Sequence, residues 1–212
     1  MSVITISRQL GCDGDEVARL LCQRLGYTRF DKKSMTELGH ELGMDAGLID
    51  QATAPRSGPR GLLERWFGNI ETPMGDPGSW TFQARQDARE AISVEHLRRL
   101  IVGGYEKGNT VIVGRGGMAA LAGMPNVIHV RIVAPRDLRL KRVQARDKIS
   151  AEEAEQRVYQ RDVTDVEWIK RYFGLDAHSP ELFDLTINTA RVTPEFAVDL
   201  IVQTMQHIGI KP

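Results

Sequence analysis

The chain has 212 residues, and its 28 lysines and arginines balance 28 aspartates and glutamates, giving a formal net charge of zero at pH 7. A chain of this length forms one domain with its own core, and its neutrality excludes a nucleic-acid binder held by bulk positive charge. No run approaches the roughly 18 apolar residues of a membrane span, and the N-terminus lacks the basic segment of a signal peptide. We therefore expect a cytoplasmic protein that binds neither a membrane nor nucleic acid.

In chain order, the hydrophobic pattern predicts four buried strands with helices between them. The strands are Val3–Ile6, Thr110–Val113, Val127–Val133 and Leu185–Asn188. The helices are Asp15–Leu25 with Gly26 as C-cap, two short helices up to about Gln51, a long helix over about Trp80–Lys107, helices that begin at Pro135 and Ser150, and a last helix capped by Thr193 and ending near Ile208. Residues 54–79 are rich in proline and glycine, which predicts a long irregular loop with a helical turn at Leu62–Phe67.

The alternation of strands and helices indicates the fold class. Strands separated by helices pair in parallel, and nearly continuous apolar runs are typical of strands that are covered on both faces. The sequence therefore predicts a doubly wound α/β fold in which residues 1–212 form one domain, with a helical excursion over residues 136–176.

Two arginines stand at strand ends, and in such sheets ligands bind beyond the carboxyl ends of the strands. The first strand leads through Arg8 and the turn Gly11–Gly14 into a helix, so main-chain N–H groups and the positive helix end can hold a phosphate. Arg115 follows the second strand within the turn Gly114–Gly117. Because arginine binds phosphate through a two-pronged fork, both arginines are candidates for a phosphate site.

Further arginines recur at helical spacing in the excursion 136–176. They are Arg139, Arg142 and Arg146 on one helix, and Arg157 and Arg161 on the next, where Asp162 follows. If these helices fold over the strand ends, their guanidinium groups converge and stabilise the charge of a phosphoryl group in transfer. The alternative is a basic helix face that only contacts solvent.

The order of these segments resembles the cytidylate-kinase-like proteins, a branch of the nucleoside monophosphate kinases within the P-loop class. The segments that carry the resemblance are ITISRQLGCDGDEVARLLCQRLGY, FDKKSM, VIVGRGG, HVRIVAPRDLRLKRV, the pair Arg161-Asp162 and FDLTINT, which span Ile4 to about Ile201. The resemblance implies a five-stranded parallel sheet with a helical lid, ATP as phosphoryl donor and Mg²⁺ as cofactor. It also implies an acceptor-binding region at 32–105 and a lid at 136–176.

The resemblance further implies roles for single residues. Arg115, Arg142 and Arg161 would be catalytic, and Arg8, which stands where the family pattern has a glycine, is a further catalytic candidate because of its place at the strand end. The donor phosphates would be held by Gly11, Cys12, Asp13, Gly14, Asp15 and Glu16. The acceptor would be bound by Asp31, Arg115, Arg139, Arg157 and Asp162. No metal ligands are assigned, and the oligomeric state does not follow.

Two turns depart from the family pattern. A P-loop carries a lysine for the terminal phosphates and a serine or threonine for Mg²⁺, whereas here Gly14 occupies the lysine position and the acidic residues Asp15 and Glu16 follow it. Gly116 replaces the aspartate of the family's Gly-Arg-Asp turn. Three functions are therefore compatible with the sequence: a kinase that phosphorylates a CMP-like nucleoside monophosphate, a non-catalytic module that senses nucleotide or phosphate, and a kinase for another small acceptor.

Overall fold

The computed structural model describes residues 1–53 and 77–212, and within these ranges the side chains of 1–50, 52 and 92–212. The predicted turn at Leu62–Phe67 and all of the predicted loop before Pro77 lie outside the described residues. The last three residues of that loop, 77–79, are helical, because the long helix begins at Pro77 and not at Trp80.

Strands and helices alternate along the described chain, as the hydrophobic pattern predicts. In order they are β1 (Val3–Arg8), α1 (Gly14–Leu25), β2 (Thr28–Phe30), α2 (Lys32–Glu41), α3 (Ala46–Thr53), α4 (Pro77–Lys107), β3 (Thr110–Val113), α5 (Gly117–Ala120), β4 (Val127–Val133), α6 (Arg136–Asp147), α7 (Ala151–Phe173), β5 (Leu185–Asn188) and α8 (Pro194–His207). None of the helices described here is long and apolar enough to cross a membrane.

The five strands form one parallel sheet in the order β2-β3-β1-β4-β5. Val3 of β1 is paired with Thr110 of β3 on one side and with Val127 of β4 on the other. One face packs against α1 and α8 around Leu21 and Ile201, and the other packs against α2, α3 and α4 around Leu100. The doubly wound α/β fold is therefore confirmed.

The predicted helix ends are confirmed by their capping contacts. Gly26 ends α1 in the left-handed conformation with φ +69°. Ser150 and Glu153 form a reciprocal capping box at the start of α7. Thr193 accepts a hydrogen bond from the main-chain N–H of Phe196 at 3.3 Å and so caps α8.

Two points of the strand pattern need correction. β1 continues two residues beyond Ile6, so Ser7 and Arg8 belong to the strand and not to the loop. β2 is three residues long and was implied only by the family resemblance, because so short a strand shows no periodicity. The central position of β1 places Arg8 between the ends of β3 and β4, where the ligand site of such a sheet lies.

Candidate functional site

The loop between β1 and α1 follows a tight path that its glycines permit. Gly11 has φ +82°, and a Cβ at this position would lie 2.6 Å from the main-chain oxygen of Arg139. A Cβ on Gly14 would lie 2.6 Å from the Cβ of Arg8. Asp13, which precedes α1, is also left-handed with φ 59°. A left-handed residue followed by a helical one turns consecutive N–H groups to one side, which suits an anion at the helix start.

This loop forms one wall of a cleft of about 1020 Å³, and α6 and α7 form the other. The helical excursion therefore folds over the strand ends, as the phosphate-site hypothesis requires. Five arginines line the cleft, namely Arg8, Arg142, Arg146, Arg157 and Arg161, together with the four acidic residues Asp13, Asp15, Glu16 and Asp147. The convergence of guanidinium groups is therefore accompanied by nearly matching negative charge.

Each arginine of the cleft is paired with a carboxylate. The shortest nitrogen–oxygen distances are 3.6 Å for Arg8–Asp15, 3.0 Å for Arg142–Asp13, 2.7 Å for Arg146–Asp147, 3.1 Å for Arg157–Asp147 and 2.9 Å for Arg161–Asp165. The hydrogen bonds from Arg146 lower the pKa of Asp147, and the same contact raises the pKa of Arg146. The positive charge of the cleft is thus neutralised internally, and a bound phosphate would compete with these carboxylates.

A smaller pocket of about 70 Å³ lies beside the cleft at the ends of β1, β3 and β4. Arg8, Arg115 and Arg131 line it together with Asp162, Asp165 and His178, among others. Arg8 belongs to both cavities, and a Cβ on Gly114 would lie 2.5 Å from its Nη1. The guanidinium of Arg8 therefore extends from the loop between β1 and α1 to the turn that carries Arg115.

Arg115 lies in a cluster of like charges. Burial, followed by the charges of Arg8 and Arg161, lowers its pKa, whereas the charge of Asp31 acts in the opposite direction. Its φ is +56°, between two left-handed glycines, a conformation that costs a residue with a Cβ about 1–2 kcal/mol. Like charge and backbone strain are both unfavourable, and such features accumulate at binding sites, where a ligand of opposite charge offsets them.

Other predicted site residues have contacts within the protein. The side chain of Arg139 is only 5% exposed and binds Asp162 through two hydrogen bonds of 3.0 and 2.7 Å, and it does not line the cleft. Asp31 caps α2 by accepting from the N–H of Ser34 at 3.0 Å. The thiol of Cys12 donates to the main-chain oxygen of Ile132 at 3.3 Å, and burial raises its pKa.

The two acidic residues at the start of α1 are paired as well. Asp15 binds Arg29 of β2 at 2.5 Å in addition to Arg8. Glu16 binds Arg19 at 2.5 Å, and this hydrogen bond lowers the pKa of Glu16. The negative charge predicted next to the phosphate loop is therefore present, but arginines of the same chain neutralise it.

Several residues of the site carry no signal that sequence reasoning used. Asp147 bridges two arginines of the cleft. Arg131 of β4 donates to the main-chain oxygen of Ala177 at 2.5 Å and to Nδ1 of His178 at 2.6 Å, and so anchors the segment that closes the small pocket. Thr189 contacts both the loop and α6. The sign in the sequence that could have identified Arg131 is a charged residue between two apolar residues of a predicted buried strand.

The donor set of the cleft fits the phosphates of ATP better than it fits a free metal ion. The loop Gly11–Gly14 and the five cleft arginines offer the N–H groups that phosphate oxygens accept from. Among the side chains described, no three of His, Cys, Asp and Glu form a group that could hold a metal. Mg²⁺ is commonly bound by one or two carboxylates together with substrate phosphates, and Asp13, Asp15 and Glu16 are the carboxylates that line the cleft at the start of α1.

Comparison with known proteins bears on this site. The model of the cytidylate kinase-like family matches residues 3–191. The chain belongs to this family. Two relatives called cytidylate kinase are each 37% identical to it: one from Ignicoccus hospitalis over 107 residues, 50% of this chain and 60% of the relative, and one from Sulfolobus acidocaldarius over 75 residues, 35% of this chain and 41% of the relative. The chain thus covers less than two thirds of these relatives.

A solved structure supports the fold independently. An uncharacterized protein from Eubacterium ventriosum superposes with a TM-score of 0.68 at 18% identity, covering 97% of this chain and 99% of that protein. At this identity the likeness shows the shared fold alone. The expected five-stranded parallel sheet of the family is confirmed, whereas the roles assigned to single residues of the site stay predictions.

Proposed function

We propose that this member of the family is a phosphotransferase that moves the terminal phosphoryl group of ATP to a nucleoside monophosphate, with CMP as the acceptor suggested by the relatives. The observation that carries the proposal is the position of Arg8, which lines both the large cleft and the small pocket. The cleft would hold the donor phosphates and the small pocket the acceptor phosphate. A guanidinium between the two reacting groups suits phosphoryl transfer.

The chemistry follows from these positions. The N–H groups at the start of α1 would hold the donor phosphates, and Arg115 would orient the acceptor phosphate, whose oxygen attacks the terminal phosphorus. The bond from that phosphorus to the bridging oxygen breaks, and ADP and a nucleoside diphosphate are formed. Arg8 and Arg161 would neutralise the charge on the transferred oxygens. Mg²⁺ that accompanies the donor would supply further charge neutralisation.

A non-catalytic module that senses nucleotide or phosphate is the second candidate. The absence of the P-loop lysine, with Gly14 in its place, and the four acidic residues that line the cleft favour it. Such a module would bind the same ligands without producing ADP. A kinase for another small acceptor is the third candidate, since Gly116 offers no carboxylate to a nucleotide acceptor.

The test is a direct assay of phosphoryl transfer. The protein is incubated with ATP and Mg²⁺ and with CMP, dCMP, UMP, AMP or other small phosphorylated acceptors, and ADP and the phosphorylated product are quantified. We expect ADP to form with CMP in excess of the ATP hydrolysis seen without acceptor. Product formation with a different acceptor alone would favour the third candidate, and nucleotide binding without any product would favour the sensing module.

Arg8→Ala tests the residue on which the proposal rests. Loss of one preorganised cation from the site of charge development typically lowers kcat by about 10²- to 10³-fold, and we expect an effect of that size, with partial recovery in Arg8→Lys. Arg24→Ala is the matched control, because Arg24 is an exposed arginine of α1 that does not line the cleft. Full turnover in Arg8→Ala would contradict the assigned role of Arg8.

A further inference from the structure

Thr189 directly follows β5 and is buried at the point where the sheet meets the phosphate loop. The residue is only 4% exposed. Its main-chain N–H donates to the oxygen of Val133, the last residue of β4, at 2.9 Å. The end of the sheet therefore fixes the position of the Thr189 backbone, and through it the position of the side-chain hydroxyl.

The hydroxyl of Thr189 connects two parts of the site that come from distant segments. It donates to the main-chain oxygen of Cys12 in the phosphate loop at 2.9 Å and accepts from Nη1 of Arg142 at 3.0 Å. The main-chain oxygen of Thr189 accepts from Nη2 of the same arginine at 3.0 Å. Because a hydroxyl carries one donor and two acceptor sites, it can serve both partners at once.

Both partners belong to the cleft. Arg142 continues from Thr189 to Asp13, whose carboxylate lies 3.0 Å from Nη2, and to the main-chain oxygen of Gly11 at 3.5 Å. The peptide between Cys12 and Asp13 is planar and trans, so its C=O and N–H point in opposite directions. When Thr189 holds the carbonyl of Cys12 on the buried side, the N–H of Asp13 turns away from Thr189. Asp13 lines the cleft, whereas Thr189 does not.

We propose that Thr189 is a positioning residue. It fixes the loop between β1 and α1, the phosphate loop of the proposed function, and Arg142 relative to each other, so that both can contact the donor phosphates. The inference rests on the proposed function for its catalytic meaning, but its physical content concerns phosphate binding. Without the hydroxyl, the carbonyl of Cys12 and one N–H of Arg142 each lose a partner, while the shape of the side chain is retained by valine.

The experiment compares Thr189→Val with Thr189→Ser. Two experiments are carried out well below the unfolding temperature: calorimetry gives the Kd for inorganic tripolyphosphate, and steady-state kinetics, where turnover is present, gives KM and kcat for ATP. We expect Thr189→Val to raise the Kd and the KM by roughly tenfold, the usual effect of leaving a buried polar group unpaired. Thr189→Ser keeps the hydroxyl and should bind tripolyphosphate like the wild type.

Thr110→Val is the matched control for a purely structural effect. Thr110 is also 4% exposed, and its hydroxyl donates to the main-chain oxygen of Gly108 at 2.7 Å. It is the first residue of β3 and therefore lies at the amino ends of the parallel strands, whereas Thr189 lies at their carboxyl ends. We expect Thr110→Val to lower the unfolding temperature without changing the Kd for tripolyphosphate.

The outcomes separate this inference from the proposed function. If the wild type binds tripolyphosphate but phosphorylates no acceptor, the proposed kinase activity fails, and a weakened Thr189→Val with a normal Thr189→Ser still supports the positioning role. Equal Kd values for the wild type and Thr189→Val overturn the inference even if the enzyme is active. No binding of tripolyphosphate by the wild type also overturns it, because the loop would then not be a phosphate site.

Discussion

Gly116 departs from the family pattern, and its surroundings give a physical reason for a glycine at this position. Its φ is +73°, and a Cβ at this position would lie 2.9 Å from Trp168 and 2.9 Å from Phe173. These two rings pack against each other with centroids 5.4 Å apart. The aromatic side chains of α7 therefore occupy the space into which any side chain at position 116 would project, so the turn after β3 presents Arg115 without a neighbouring carboxylate at 116.

Gly116→Ala should destabilise the protein for two separable reasons. The left-handed backbone costs an alanine about 1–2 kcal/mol, and the contact with the two rings adds about 1–3 kcal/mol of overpacking. Gly174→Ala is the matched control, since Gly174 has φ +67° and a Cβ there would meet nothing within 4 Å. The free energy of unfolding in urea should fall more for Gly116→Ala than for Gly174→Ala. Equal losses would mean that the rings move aside freely.

Sequence reasoning at the residue level could identify arginines but not their environments. The spacing of Arg139 and Arg142 predicts that both lie on one helix face, and this holds. However, Arg139 is buried against Asp162 while Arg142 lines the cleft. This face of α6 packs partly against α7 and is partly open to the cleft, so two arginines on it have different surroundings. Periodicity alone contains no information about that difference.

At the scale of elements, the strands and helix ends could largely be predicted from the sequence, whereas the contacts between segments distant in sequence could not. Four of the five strands follow from apolar runs, and the caps at Gly26, Ser150 and Thr193 follow from local chemistry that needs no tertiary partner. β2 has three residues, of which only Phe30 is buried, and it forms because β3 offers it an unpaired edge. The contacts of Thr189 could not be predicted for a related reason, since its partners come from a loop and a helix that are distant in sequence.

His129 of β4, which faces Thr5 on the neighbouring strand β1, predicts that the stability of the folded protein falls at low pH. Its Nδ1 lies 2.7 Å from the hydroxyl of Thr5 on the neighbouring strand. Burial lowers the pKa of His129 below its ordinary value, although the charge of Asp184 acts in the opposite direction. As the pH falls below about 6.5, the unfolded chain takes up this proton before the folded protein does, so His129 contributes a loss of stability with falling pH.

The measurement is the free energy of unfolding in urea between about pH 7.5 and pH 5 for the wild type and His129→Gln. Glutamine does not titrate and can accept the hydrogen bond from Thr5. We expect the wild type to lose more stability than the variant over this interval. Parallel curves for the two proteins would show that His129 does not contribute to the pH dependence.

At the scale of the whole molecule, the electrostatics of the site depends on local arrangement and not on net charge. The chain carries 28 basic and 28 acidic residues, yet five arginines and four acidic residues meet in one cleft. Nearly neutral pairing keeps the unliganded cleft free of strong self-repulsion. It also means that a phosphate ligand must exchange with carboxylates that already occupy the guanidinium groups, which favours ligands that bring several negative charges at once.

Ligand-induced stabilisation should therefore discriminate between phosphate ligands. A ligand present at 100 times its Kd adds about 2.7 kcal/mol to the stability of the folded state, which raises the unfolding temperature of a domain of this size by roughly 5–10 °C. ATP should produce a larger shift than AMP at equal concentration, because its three phosphates span more of the cleft, and CMP should add to the shift produced by ADP if it occupies the separate small pocket. Thermal denaturation with each ligand, with and without Mg²⁺, measures this. If CMP raised the unfolding temperature and ATP did not, the assignment of the cleft to the donor would be contradicted. The loop with Gly14 in the lysine position would then not bind a triphosphate.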